Sequence, residues 1–108
     1  MVTNEIFRQL ALSFPGVEEL PHFEKASFRI NKKIFATLTE KQNLAVVKLS
    51  PTDQSVFCAF DKTVIYPVPG AWGKKGYSSI ALAKIRKSML KDALSCAYRQ
   101  VAGKHYTL

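Results

Sequence analysis

The chain has 108 residues, 47% hydrophobic and 22% charged, which leaves room for one self-sufficient domain of ordinary globular balance and excludes a disordered chain. Sixteen Lys and Arg oppose eight Asp and Glu, giving a net charge of +8 and a pI near 9.7. No apolar run approaches the ~18 residues of a membrane span. Met1-Val2-Thr3-Asn4-Glu5 also lacks the basic-then-apolar opening of a secretory signal, so a cytoplasmic chain with no membrane partner is expected.

Thr3 is placed to cap a first helix running to about Phe14, with Ile6, Leu10 and Phe14 recurring every four residues and Phe7 and Ala11 widening the stripe. Pro15-Gly16 stops it. After Leu20-Pro21 the period changes to two: Ala26, Phe28 and Ile30, then Ile34, Ala36 and Leu38, with Asn31-Lys32-Lys33 as the turn of a hairpin. A polar break at residues 40–43 leads into a strand, Leu44–Leu49. Ser50 as cap, Pro51 at the first helical position and Asp53 in the first turn open a second helix that ends near Phe60-Asp61. An extended Thr63–Val68, a turn-rich Pro69–Gly76 and a strand Tyr77–Leu82 follow. The last helix is expected from about Arg86 to Ala102, buried along Met89, Ala93, Leu94, Ala97 and Val101 and closed by Gly103.

The order α-β-β-β-α-β-β-α, with strands joined by short turns, predicts an α+β two-layer sandwich: one antiparallel sheet of about five strands with the helices on it. It does not read as βαβ units, so a dinucleotide-binding crevice is not expected.

Catalytic chemistry finds no foothold, and the reading is a protein that is not an enzyme. His22 and His105 are the only imidazoles; the first follows Pro21 and reads as a half-buried packing residue, and the second lies where a terminus frays. Cys58 and Cys96, 38 positions apart, have no ligand-spaced neighbours and read as reduced, buried thiols holding no metal. Glu18-Glu19 alone makes a weak hard-ion site. The stretch Gly70-Ala71-Trp72-Gly73-Lys74-Lys75-Gly76 lacks the Gly-Lys-Ser/Thr ending of a phosphate loop. No cofactor is expected.

The hairpin Phe28–Leu38, preceded by Pro15-Gly16-Val17-Glu18-Glu19, is similar to that of the MmcQ/YjbR family. So is Trp72-Gly73-Lys74-Lys75-Gly76-Tyr77 followed by a strand and a helix carrying Leu90-Lys91-Asp92-Ala93-Leu94 and Ala97-Tyr98-Arg99-Gln100-Val101-Ala102. The resemblance spans nearly the whole chain and resides in the ordered set rather than in any one motif; Tyr77 stands where the family often has a second Trp. It implies a fold akin to type III secretion chaperones and frataxin-like domains, and a DNA-binding role.

Charge placement points the same way. Residues 1–24 carry a net −3, residues 25–61 a net +3 and residues 62–108 a net +8, so the basic excess is concentrated toward the end of the chain, as a polyanion-binding face requires. Lys84, Arg86, Lys87 and Lys91 surround the start of the last helix, where cations oppose the helix dipole and so are not there for helix stability. With Arg29, Lys32 and Lys33 near the hairpin turn and Lys74 and Lys75 beside Trp72, they form the candidate nucleic-acid-binding set. Trp72 itself is expected to fill the core, with Gly73 and Gly76 allowing a tight turn; the alternative is a stacking surface. The leading expectation is a small basic module that binds nucleic acid, duplex DNA first, through its backbone with little sequence preference. A domain binding an acidic protein partner is the alternative. One contiguous positive face over the Trp72 stretch and the last helix would favour nucleic acid; scattered lysines beside an apolar groove would favour protein.

Overall fold

A computed structural model describes residues 2–103. Helix α1 (Asn4–Leu12) is capped by the Thr3 hydroxyl, which accepts from the Ile6 N–H at 3.1 Å, and buries Phe7 and Ala11 fully. Strands β1 (Glu18–His22), β2 (Lys25–Ile30), β3 (Lys33–Thr39) and β4 (Leu44–Lys48) follow, with a single 3₁₀ turn at Glu40–Gln42. Helix α2 (Pro51–Phe60) starts as its sequence predicts, the Ser50 hydroxyl accepting from the Asp53 N–H. After it come β5 (Ile65–Pro67), a helical turn α3 (Ala71–Lys74), β6 (Tyr77–Ala81) and the long helix α4 (Lys87–Ala102).

All pairings are antiparallel, in the order β1-β2-β3-β4-β6-β5. The expected α+β architecture stands, with six strands instead of about five. The additional strand is β1, whose sequence Glu-Glu-Leu-Pro-His lacks apolar alternation. It is held as an outer strand by backbone pairing with β2, while Leu20 remains exposed. Both outer strands contain a proline, Pro21 in β1 and Pro67 in β5.

The core lies between the sheet and α1 with α4. Phe7 meets Phe28 edge-on at 5.5 Å, and Phe14 stacks on Tyr98 at 5.0 Å while Phe35 meets the same ring edge-on. The buried Tyr98 hydroxyl donates to the Pro15 carbonyl at 2.5 Å, which ties the turn after α1 to α4 and spares a polar group from burial without a partner. Helix α4 buries Leu90, Ala93, Leu94, Ala97, Tyr98 and Ala102. Met89 and Val101, expected in that stripe, border it half-buried.

Two backbone devices shape the surface. In the β2–β3 turn, Asn31 and Lys32 both take positive φ, 52° and 67°, the twist that a two-residue hairpin needs. Two to three residues before the turn the ladder pairs Phe28 with Ala36 but Arg29 with Ile34. Phe35 is thereby skipped and buried beside Ala36, and Ile34 turns to the Arg29 side of the sheet.

Candidate nucleic-acid interface

Lys48 and Tyr77 face each other in register across β4 and β6. Strand alternation puts them on the sheet face opposite the buried Val47 and Ser78. There they border a concave groove of about 610 Å³ lined also by Arg29, Lys32, Lys33 and Ile34 from the hairpin, His22 from β1, and Gln100 and Val101 from the end of α4. The Lys48 Nζ lies 5.5 Å from the centre of the Tyr77 ring, a cation–π contact that leaves the ammonium N–H donors available to an anion. Arg29 is oriented by a hydrogen bond from Nε to the buried Ser27 hydroxyl at 3.0 Å.

Among the described residues, both ion pairs involve Arg8, which reaches Glu19 at 2.9 Å and, more closely, Glu40. These hydrogen bonds, Glu40's first, raise the Arg8 pKa further, and the same contact draws the Glu40 carboxyl below its usual value. The groove cations take part in neither pair. Glu18 stands opposite Arg29 in register but closes no ion pair with it. Among the described residues charge pairing is therefore concentrated near α1, and the groove gathers cations that close no ion pair.

Tyr77 joins this groove to the Trp72 stretch: its ring meets Trp72 edge-on with centroids 5.2 Å apart, and the Lys75 Nζ lies 5.2 Å from the Trp72 ring centre. Here one expectation is corrected. Trp72 does not fill the core; it is 59% exposed. The reason is the backbone on either side. A Cβ on Gly73 would sit 2.0 Å from the Val68 carbonyl oxygen, and one on Gly76, whose φ is +105°, would sit 1.8 Å from that of Leu49. The turn is thus held against the neighbouring backbone on its inner side, and the indole lies on its outer side. Gly73 is required for this close approach rather than for a positive φ, and what was expected as a plain turn contains α3.

The candidate cations divide into two groups. Arg29, Lys32 and Lys33 line the groove, and Lys75, with the exposed Lys74, adjoins it through Trp72 and Tyr77. Lys84, Arg86, Lys87 and Lys91 are all exposed, but at the other end of α4. Gln100 of the groove lies fourteen residues beyond Arg86, which is about 21 Å along a helix. The single contiguous face that would favour nucleic acid outright is thus not formed, and the cluster at the α4 start meets the description that favours a protein partner. Arg86 instead borders a shallow apolar trough of about 300 Å³ between α2 and α4, lined by Val56, Phe57, Phe60, Ser88, Met89 and Asp92.

Lys48, Tyr77 and Gln100 were not singled out as groove residues from sequence. The period of two in Leu44–Leu49 carried the signal for Lys48, since Ala45, Val47 and Leu49 are buried and Lys48 must face the other way. His22 is half-buried, as expected, and meets the Phe23 ring at 4.8 Å; His105 lies outside the described residues. Cys58 and Cys96 are free, half-buried thiols, and burial raises the Cys58 pKa. Among the described residues no group of three His, Cys, Asp or Glu could hold a metal ion, and no helix is long and apolar enough to cross a membrane.

Comparison with known proteins bears on the fold and the family. No curated protein matches the chain. The crystal structure of Deinococcus radiodurans protein DR2400, with a DUF419 domain, is similar with a TM-score of 0.83 at 20% identity, over 99% of this chain and 83% of that one. At that identity the likeness establishes the shared fold. The YjbR family model matches residues 12–100, from the end of α1 into the last turn of α4 and including the whole sheet, and the chain therefore belongs to the YjbR family.

Proposed function

We propose that this protein is a small non-enzymatic module that binds nucleic acid through the sugar-phosphate backbone, with little dependence on sequence. The observation that carries the reading is the groove in which Arg29, Lys32, Lys33 and Lys48 converge beside Tyr77, with no carboxylate among the described residues closing an ion pair with them. Four cations on one concave surface match a run of phosphates. The groove has no helix presenting a row of Asn, Gln or Arg toward base edges, so discrimination between sequences is expected to be small. Fluorescence anisotropy with labelled duplexes of two unrelated sequences tests this. Both should bind alike, with log K falling by roughly 0.9 per phosphate neutralised for each unit of log salt. No binding at low salt would refute the proposal.

A second reading, docking of an acidic protein segment, is favoured by the trough between α2 and α4. Val56 is 66% and Phe60 80% exposed, one helical turn apart on α2, with Arg86 at the rim and Lys87 next in sequence. An amphipathic helix with acidic flanks would complement that combination. Replacement of Lys84, Arg86, Lys87 and Lys91 separates the readings, since nucleic-acid binding in the groove should survive it.

A further inference from the structure

We infer that Trp72 is a stacking platform for an unpaired nucleobase, so that the nucleic acid this protein prefers is single-stranded. The inference rests on the backbone-binding reading and specifies its substrate. Trp72 is the chain's single tryptophan, and water covers more of it than the protein does, although large aromatics generally contribute most when buried. Its backbone, by contrast, is closely held. Gly73 and Gly76 lie against the carbonyls of Val68 and Leu49 with no space for a Cβ. The Gln54 side-chain amide reaches across from α2, its Nε2 lying 2.9 Å from the Gly73 oxygen, 3.2 Å from the Tyr77 oxygen and 3.0 Å from the Ser78 hydroxyl, which in turn donates to the Gly76 oxygen.

A fixed backbone carrying an exposed π-face is what stacking demands, because the ordering cost of the platform has been met before the ligand arrives. The Tyr77 ring stands nearly perpendicular to the indole, at 84° with centroids 5.2 Å apart, and so is not itself stacked on it. The Lys75 ammonium over the ring occupies the place of a partner that a base can displace, and its flexible stem lets it move to a phosphate. Tyr77 is shared with the groove, so a strand with one base on Trp72 can continue its backbone toward Lys48, Lys32 and Lys33. Bases in an intact duplex are stacked on one another and offer no free face to Trp72; an unpaired strand does.

The lone tryptophan makes the test direct, because its emission reports on one residue. The wild-type chain is titrated, with tryptophan excited selectively, with three oligonucleotides of equal phosphate count: an unstructured oligo-dT, the same strand with abasic sites throughout, and a duplex. Quenching by oligo-dT, absent with the abasic strand and weaker with the duplex, is the expected result. A parallel anisotropy series compares Trp72→Phe, which keeps a π-face, with Trp72→Leu, which keeps apolar bulk only. Trp72→Leu should lose about tenfold or more in affinity for oligo-dT and little for the abasic strand, and Trp72→Phe should retain most of it. Equal affinity of all three probes with unchanged emission overturns the stacking inference and leaves the backbone reading intact. Failure of all three to bind at low salt overturns both.

Discussion

The two basic ends of this molecule are built in opposite ways. Around Tyr77 the surface rests on close backbone contact: a clamped turn at residues 70–76, a bulge that brings Ile34 beside Arg29, and a glutamine holding α3 to β6. Around the start of α4 the surface is shaped by side chains instead. Helix α2 buries no side chain completely, and Arg86 caps α4 without a side-chain hydrogen bond. Similar charge is thus mounted on a stiff concave support at one end and on an adaptable apolar one at the other. The stiff end suits a repetitive ligand such as a phosphate backbone, and the adaptable end suits a side-chain surface that repacks.

The strongest way to break this contrast is Gly76→Ala. It forces an L side chain into φ +105° and a Cβ to 1.8 Å from a backbone oxygen that cannot move aside freely. A loss of about 3 kcal/mol or more in denaturant unfolding is expected, or failure to fold; a change under ~1 kcal/mol would show that the turn is not clamped. Next in size is the charge comparison. Lys32, Lys33 and Lys48 replaced together by Ala should reduce the salt slope for DNA by roughly 2–3, whereas the Lys84/Arg86/Lys87/Lys91 quadruple Ala variant should leave it nearly unchanged. The reverse outcome would move the interface to the α4 start.

Smaller still is Phe60→Ser on the adaptable end. With 80% of the side chain already in water, unfolding should shift by no more than about 0.5 kcal/mol, and DNA affinity should be unaffected. A larger loss would mean that Phe60 contributes packing beyond what its exposure implies. The smallest effect concerns Asp61, after α2, whose carboxyl is drawn below its usual value first by the Thr63 hydroxyl and then by the Thr63 N–H. A depressed folded pKa contributes stability above the unfolded value, near 4, and loses it as pH falls through the folded value. Thermal unfolding of Asp61→Asn should therefore be slightly less dependent on pH below about 4 than wild type, and an identical acid limb would remove Asp61 from the account.

Local physics made much of this legible from sequence. The Thr3 and Ser50 caps and the turn after Ile30 each depend on residues within a few positions, and each lies where the pattern put it; the α4 face keeps Ala93, Leu94 and Ala97 but is turned toward Leu90, Tyr98 and Ala102. The rest depended on partners far along the chain. β1 is a strand because β2 lies beside it. Trp72 is exposed on the outer side of a turn whose inner side lies against the carbonyls of Val68 and Leu49. The candidate cations separate because α4 is long and its start and end meet different neighbours; charge summed along a sequence carries no information about which helix end borders which groove.

The outer strands bear on how copies of the chain can meet. Pro21 and Pro67 each remove a hydrogen-bond donor from the row that an incoming strand would have to match, and β5 offers only three residues. Sheet extension from molecule to molecule, the route by which exposed strands propagate into fibres, is thereby obstructed at both ends. The helical side and the groove are then the surfaces through which copies can meet, and there a self-complementary contact ends at a dimer where a head-to-tail one does not.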